Sequence, residues 1–287
     1  MSTGTHMATS PAGAAGTLAI GDLEVNRMGF GAMRICGPSV WGPPKDPAAA
    51  RSVLRRAVEL GVNFIDTADS YGPEVSETLI AEALHPYPAG LVIATKGGIL
   101  RPHPQAWDAD GRPAHLRSAI EGSLKRLKVE RIDVYQLHAP DPALPYADSI
   151  GALAELQRAG KIRHIGISNV TVAQLEAARR IVPIVSVQNK YNLGDRSSDA
   201  VLAACERLGI PFMPWYPMDA GRSLKSEKLK AMAASHGVSA AQMALAWLLS
   251  KSPAILMIPG TGSVAHLQEN VAAAGIKLSA EELAALA

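Results

Sequence analysis

In this chain the polar residues with chemical potential stand at the last position of apolar, β-branched runs. Asp66 ends Asn63-Phe64-Ile65-Asp66, Lys96 ends Leu91-Val92-Ile93-Ala94-Thr95-Lys96, and His138 ends Ile132-Asp133-Val134-Tyr135-Gln136-Leu137-His138. Ser168 closes His164-Ile165-Gly166-Ile167-Ser168, and Gln188 closes Ile184-Val185-Ser186-Val187-Gln188. Runs of Val, Ile and Phe describe strands buried on both faces, the condition of a parallel sheet covered by helices. A charged or amide group gains nothing from that burial. If the strands are parallel, all these groups emerge on one rim, which is where a barrel of parallel strands builds its site.

Eight strand candidates follow from the pattern. One ends near Gly31, five end at the residues just named, and two lie at 211–215 and 255–259. Helical periodicity fills the intervals: Ala50, Val53, Leu54, Ala57 and Val58 recur at i, i+3, i+4 and i+7, as do Leu116, Ile120, Leu124 and Leu127. Strand–helix alternation repeated eight times predicts an α/β chain folded as a (β/α)8 TIM barrel. A doubly wound sheet would need a GxGxxG turn after an early strand, and none follows one here. Gly21-Asp22, between two short strand-like pieces from 18 to 27, predicts an N-terminal β-hairpin that caps the barrel bottom. Residues 1–16, rich in Ser, Thr, Ala and Gly, read as a flexible tail, and 17–287 as a single barrel domain. Long connections at 36–46, 98–113 and 139–146 each follow a strand, so they belong to the active rim.

Composition narrows the function. With 28 Lys+Arg against 26 Asp+Glu the net charge is +2, too small for a nucleic-acid footprint. No apolar run approaches the ~18 residues of a membrane span. The two cysteines, Cys36 and Cys205, lack CxxC spacing, which points to reduced thiols in a cytoplasmic protein without a structural metal. Nothing in the sequence sets the oligomeric state.

Asp66 and Tyr71 stand five apart in Asn63-Phe64-Ile65-Asp66-Thr67-Ala68-Asp69-Ser70-Tyr71-Gly72, with Lys96 and His138 closing the next two strands. Further along come Gly166-Ile167-Ser168-Asn169-Val170, Val187-Gln188-Asn189-Lys190-Tyr191-Asn192, and the run from Ile258-Pro259-Gly260-Thr261-Gly262-Ser263 to His266, Glu269 and Asn270. In this order the chain resembles the aldo-keto reductase family over nearly its whole length. The resemblance implies a catalytic tetrad of Asp66, Tyr71, Lys96 and His138, with Asp69 left as a local structural acid.

The chemistry of the four residues agrees with that implication. Reducing a carbonyl requires a hydride on carbon and a proton on the developing alkoxide. A phenol with pKa ~10 keeps its proton at neutral pH and gives it up readily only if the phenolate is stabilised. Lys96 supplies the positive charge, Asp66 keeps the buried lysine ionised, and a neutral His138 N–H holds the carbonyl oxygen. Taken singly, Asp66–Lys96 fits a core salt bridge and His138 a core histidine; together on one rim they fit catalysis.

The resemblance further implies a nicotinamide cofactor. Ser168, Asn169 and Gln188 match residues that hold its carboxamide, Trp215 the aromatic on which its ring stacks, and Glu269 and Asn270 residues at the adenine. Gly260, Thr261, Gly262 and Ser263 open a helix after the last strand, where backbone N–H groups attract phosphate. Many relatives grip the 2′-phosphate of NADP with Lys near Gly260 and Arg where His266 stands; this chain has neither. Thr261, Ser263 and His266, helped by Arg222 or Lys225, are the substitutes, so NADPH is expected and NADH is the alternative. Met33 and Trp41 are the expected substrate contacts, and the Gly-Pro-Pro loop after Trp41 is similar to a bacterial branch that includes pyridoxal reductases. The expected activity is reduction of aldehydes or ketones to alcohols, with Tyr71 as proton donor. The alternatives are an alcohol dehydrogenase working in the oxidative direction and a cofactor-sensing regulatory barrel.

Overall fold

The structure, a computed structural model, describes residues 10–286. Strands β1 (Thr17–Ile20) and β2 (Leu23–Asn26) form the expected antiparallel hairpin. Its turn is Gly21 at φ +61°, where a Cβ would lie 2.2 Å from the His164 ring. Only glycine permits both the left-handed turn and that approach. The next residue, Asp22, accepts from Arg163 Nη2 at 2.7 Å and lies 2.5 Å from His164 Nε2. Both partners stand near the start of a barrel strand, so the hairpin closes the end opposite the polar strand termini.

Seven strands then pair in parallel, in the order β3 (Phe30–Gly31), β4 (Phe64–Asp66), β5 (Val92–Gly97), β8 (Ile132–Leu137), β9 (Ile162–Ser168), β10 (Ile184–Lys190) and β11 (Phe212–Trp215). Two further strands, β6 (Ile99–Leu100) and β7 (Asp108–Ala109), make a small antiparallel pair in the loop after β5. The eighth expected strand forms single bridges instead of a ladder. Leu256 N–H donates to Phe212 O at 2.9 Å, Met257 N–H to Arg27 O at 2.8 Å, and Gly29 N–H to Met257 O at 2.8 Å. These bonds close β11 onto β3 and complete the barrel. Pro253 and Pro259 bracket the segment and have no N–H to extend the pairing.

Helices α1 (Pro47–Glu59), α2 (Val75–Leu84), α3 (Pro113–Leu127), α4 (Tyr146–Arg158), α5 (Val172–Arg179) and α6 (Asp199–Leu208) follow successive strands. After β11 come α7 (Glu227–Ser235), α8 (Ala240–Lys251), α9 (Val264–Ala272) and α10 (Ala280–Ala285). Their starts are written in the sequence. Asp46 caps α1 ahead of Pro47, and Thr171, Ser239 and Ser279 each form a capping box with the Gln or Glu three residues on.

The two-residue period of the strands sorts the interior. Phe64, Val92, Ala94, Val134, Met213, Leu256 and Ile258 form an apolar plug with Ile20 and Val25 of the hairpin. Asp66, Lys96, Gln136 and His138 continue the same inward faces one or two steps toward the strand ends. The alternate residues pack outward under the helices in a larger cluster that includes Ile65, Ile93, Tyr135 and Trp247.

The expected tail needs correction where it is described. Residues 1–9 lie outside the described residues, but Ala12–Ala15 form a 3-10 helix, Ala12 is fully buried, and its N–H donates to Leu60 O at 3.0 Å. The helix packs on a second short one, Ala273–Gly275. Alanine and glycine here are the small side chains of a close contact, which low-complexity composition conceals.

Arg27 ties this region together. Its Nε donates to Ile255 O at 3.1 Å, Nη1 to Ala15 O at 3.4 Å, and Nη2 to Leu249 O and Ser252 O at 2.8 and 2.7 Å. Arg27→Met keeps the stem and strands those carbonyls, so we expect a loss of about 2–4 kcal/mol, measured by urea unfolding. A midpoint equal to that of the parent would show that the closing segment does not depend on Arg27.

Candidate active site

Above the apolar plug the strand ends converge on a buried ion pair. Lys96 is fully buried and Asp66 is 2% exposed; Lys96 Nζ donates to Asp66 Oδ2 at 2.7 Å, to Thr67 O at 2.8 Å and to Tyr71 Oη at 3.3 Å. All three ammonium protons are therefore placed. The other Asp66 oxygen, Oδ1, accepts from Gln136 Nε2 at 3.0 Å and Gln188 Nε2 at 2.9 Å. Burial acts to neutralise the lysine, but its interactions with Asp66 and then Tyr71 outweigh it and hold the ammonium above its ordinary pKa.

Tyr71 lies in the loop between β4 and α2, and backbone bonds fix that loop at close intervals. Thr67 N–H donates to Ala94 O at 2.8 Å, Asp69 N–H to Lys96 O at 3.1 Å, and Ser76 N–H to Tyr71 O at 3.1 Å. Burial raises the phenol's pKa, and the Lys96 charge works against that rise. The proton is thus firmly held at neutral pH, with a cation 5.0 Å from the ring centre. His138 is 7% exposed, its ring edge-on to Tyr71 with centroids 5.8 Å apart. Burial, then Lys96 and Arg101, push its pKa well below the ordinary value, so it is neutral. Ser70 Oγ is 3.2 Å from His138 Nδ1; with the hydroxyl donating there, the Nε2–H is left for a ligand.

A cavity of ≈ 800 Å3 opens over this cluster, with Asp66, Tyr71, His138, Ser168, Asn169 and Gln188 in its floor and wall. Asn169 takes the left-handed conformation at φ +59°, which turns its amide back on the rim. Its Nδ2 donates to His138 O at 2.9 Å and Ser168 Oγ at 3.2 Å, and its Oδ1 accepts from Trp215 Nε1–H at 3.0 Å. Trp215 lines the same cavity. On the other side β3 meets the closing segment through glycines: a Cβ on Gly260 would lie 2.5 Å from Gly31 O, and one on Gly31 the same distance from Ile258 O.

The remaining expected residues fall in two places. Gly260 lines the cavity, whereas Thr261, Gly262, Ser263, His266, Glu269 and Asn270 continue past it along the turn and helix α9. Thr261 Oγ1 accepts from Ser263 N–H at 3.1 Å, Ser263 caps α9, His266 is exposed, and Asn270 is 4% exposed. The Glu269 carboxylate accepts from the Ser239 hydroxyl that caps α8. Met33 lines the cavity as expected. Trp41 does not: its backbone bridges Gly72, and its indole faces Arg101 at 5.6 Å. The aromatic wall is Trp107 from the loop after β5, 40% exposed and edge-on to Tyr71 and His138 at 6.3 Å each.

Several contributors were not singled out from the sequence. Gln136 was signalled by its position two residues before His138, hence on the same inward face. Arg34, exposed beside Gly260 and Gly262, lines the cavity mouth. The 215–226 loop adds Tyr216, Met218 and Leu224, signalled only by Pro217 and Gly221. Arg222, expected to reach a phosphate, is paired with Asp219 of its own turn at 2.7 Å.

A model of the Aldo/keto reductase family matches residues 27–287 of the chain. It is 50% identical over 273 residues to an uncharacterized oxidoreductase of Schizosaccharomyces pombe, covering 95% of this chain and 89% of that protein. It is 46% identical over 277 residues to pyridoxine 4-dehydrogenase of Escherichia coli, covering 94% and 96%. Among solved structures it superimposes on an aldo-keto reductase from Klebsiella pneumoniae in complex with NADPH. That match has a TM-score of 0.80 and 27% identity, covering 94% and 93% of the two chains.

Asp69 shares the loop of Tyr71 without facing the cavity. Its Oδ1 is closed off from solvent with no hydrogen-bond partner, and burial followed by the Glu77 charge raises its pKa well above the ordinary carboxylate range. The folded chain keeps this proton, while the unfolded chain loses it near pH ~4. Stability is therefore lost as pH rises from there toward the folded pKa. Asp69→Asn removes the penalty, so its midpoint should exceed the parent's by about 2–4 °C at pH 7 and by less at pH 4, measured by thermal unfolding at both. An equal gain at the two pH values, or a loss at pH 7, contradicts the assignment.

Proposed function

The chain belongs to the aldo/keto reductase family, and from that premise we propose that it reduces aldehydes or ketones to alcohols with NADPH, Tyr71 giving the proton. The observation that carries this reading is the placement of Lys96 Nζ, fully buried and in contact at once with Asp66 Oδ2 and Tyr71 Oη at the floor of the cavity. A cation there lowers the cost of the phenolate and leaves the phenol neutral until a carbonyl oxygen arrives.

A nicotinamide dinucleotide fits the residues present. At the cavity edge Gly31 and Gly260 let β3 and the closing segment meet backbone to backbone, where a side chain on either would collide with the other. Ser168, Asn169 and Gln188 converge with hydroxyl and amide groups beside Trp215, the chemistry that a carboxamide and an aromatic ring require. Beyond Gly260, the Thr261–Ser263 turn leads into the N-terminus of α9, the end of a helix that favours phosphate, with Arg34 beside Gly260 and Gly262 and His266 exposed on the helix. When bound, the reduced nicotinamide supplies the hydride. The protein's own residues do the rest. His138 Nε2–H and Tyr71 O–H meet the carbonyl oxygen and favour the charge that grows on it. Tyr71 passes its proton to that oxygen, and Lys96, anchored by Asp66, takes up the phenolate charge.

The same residues serve the reverse reaction, with Tyr71 accepting the proton of an alcohol. The Escherichia coli relative carries a dehydrogenase name, and this favours the oxidative direction as a second reading. Pyridoxal and pyridoxine are the first pair of substrates to assay in the two directions.

Tyr71→Phe is expected to lower kcat for aldehyde reduction by roughly 10²–10⁴-fold, while NADPH affinity stays within about twofold, since the hydroxyl touches no phosphate. Loss of less than about tenfold would remove Tyr71 as the donor. Lys96→Met should lower kcat and move the alkaline limb of the reduction profile to higher pH, because without the ammonium the phenol is a weaker acid. An unmoved limb at an unchanged rate would take Lys96 out of the reaction. His138, held neutral, should contribute no limb between pH 5 and 8.

A further inference from the structure

The loops that wall the cavity share one side chain. Arg101 follows β6, is 7% exposed, and donates from both Nη groups to carbonyl oxygens of three rim segments, while its Nε is buried without a partner. Nη1 donates to Val40 O at 3.3 Å and Ser70 O at 3.2 Å; Nη2 donates to Ser39 O at 3.1 Å and Pro104 O at 2.8 Å. Among the described residues no carboxylate pairs with it. The charge is met by carbonyl dipoles and by two indoles, with Cζ 3.7 Å from the Trp107 ring centre and 5.6 Å from that of Trp41.

Each tie bears on the cavity. Ser39 and Val40 both take left-handed backbone, at φ +58° and +56°, and a β-branched residue holds such a conformation only under constraint. Both line the cavity, and Arg101 holds both carbonyls. Ser70 precedes Tyr71, and its hydroxyl meets His138 Nδ1. Pro104 lies on the loop that carries Trp107, whose indole stands edge-on to Tyr71 and His138. The aromatic wall beside the reacting atoms and the strained wall at Ser39 and Val40 are therefore fixed from behind by one planar cation. Lysine cannot reproduce it, having neither the fork for four carbonyls nor a flat face to lay on an indole.

We propose that Arg101 is a positioning residue that sets substrate choice: by holding Trp107 beside Tyr71 and His138 it gives the cavity a rigid aromatic wall that selects flat aromatic aldehydes over short aliphatic ones. This rests on the reading that Tyr71 and His138 meet a carbonyl oxygen.

The test compares Arg101→Lys, Trp107→Ala and the double variant, with benzaldehyde and propanal as substrates and NADPH as reductant. Arg101→Lys and Trp107→Ala should each raise KM for benzaldehyde about tenfold, with kcat within about threefold and KM for propanal within about twofold. NADPH binding, followed by fluorescence, should stay within about twofold. Because Arg101 acts through Trp107, adding Arg101→Lys to Trp107→Ala should raise KM no further. Equal changes for both aldehydes, an additive double variant, or an unchanged Arg101→Lys each overturn the proposal. If Arg101→Lys does not fold, Trp107→Ala alone decides: a KM rise shared by both aldehydes overturns it. A parent protein that reduces neither aldehyde nor any other carbonyl would instead defeat the functional reading itself.

Discussion

The arrangement depends on one ion pair kept out of water. Two charges in a dry barrel cost several kcal/mol each in lost hydration, and their attraction repays this only when every remaining donor and acceptor is met. Here every one is. Lys96 places its protons on Asp66, Thr67 O and Tyr71, and Asp66 fills its second oxygen with the amides of Gln136 and Gln188. The donors and acceptors come from β4, the loop after it, β5, β8 and β10, so the pair is satisfied only when those strands stand in their observed register. Lys96 faces Gln136 across one pairing, and Gln188 faces Ser168 across another. A one-residue slip of any of these strands would turn its polar group out of the barrel.

From that pair the rest of the site follows in electrostatic order. Burial raises the Tyr71 pKa and lowers that of His138; the ammonium opposes the first shift and adds to the second. A second cation, Arg101, adds to the effect on His138 while tying down the loops. Both cations are buried, but they are solvated differently: Lys96 by a carboxylate, Arg101 by carbonyl dipoles and indole faces. The difference suits their places. On the proposed reading, a charge that answers a forming phenolate needs a partner that fixes it in line. One that ties several loops together needs many weak acceptors.

How much could be seen in the sequence depended on whether a residue sits on a strand. Asp66, Lys96, His138, Ser168 and Gln188 were legible because a polar residue ending a β-branched run has one place to go in a parallel barrel. Gln136 was legible by the same alternation, two residues before His138. Loop residues carry no such period. Trp41 and Trp107 are both tryptophans in Pro-containing loops after strands, and only the fold tells that Trp41 lies against Arg101 while Trp107 takes the cavity wall. The last barrel segment was readable as an apolar run, but its single bridges between prolines were not. Ala12–Ala15 looked like a tail because small residues give no hydrophobic signal, although their smallness is what lets the two short helices meet.

Lys96 is charged inside the barrel and owes that charge to Asp66. Nitrogen-15 NMR of lysine side chains reads it directly, because an ammonium and an amine differ in shift and in proton exchange. A slowly exchanging ammonium is expected for Lys96, persisting to about pH 10 or above, with Asp66→Asn converting it to an amine at neutral pH. A neutral amine for Lys96 in the parent protein at pH 7 would contradict it.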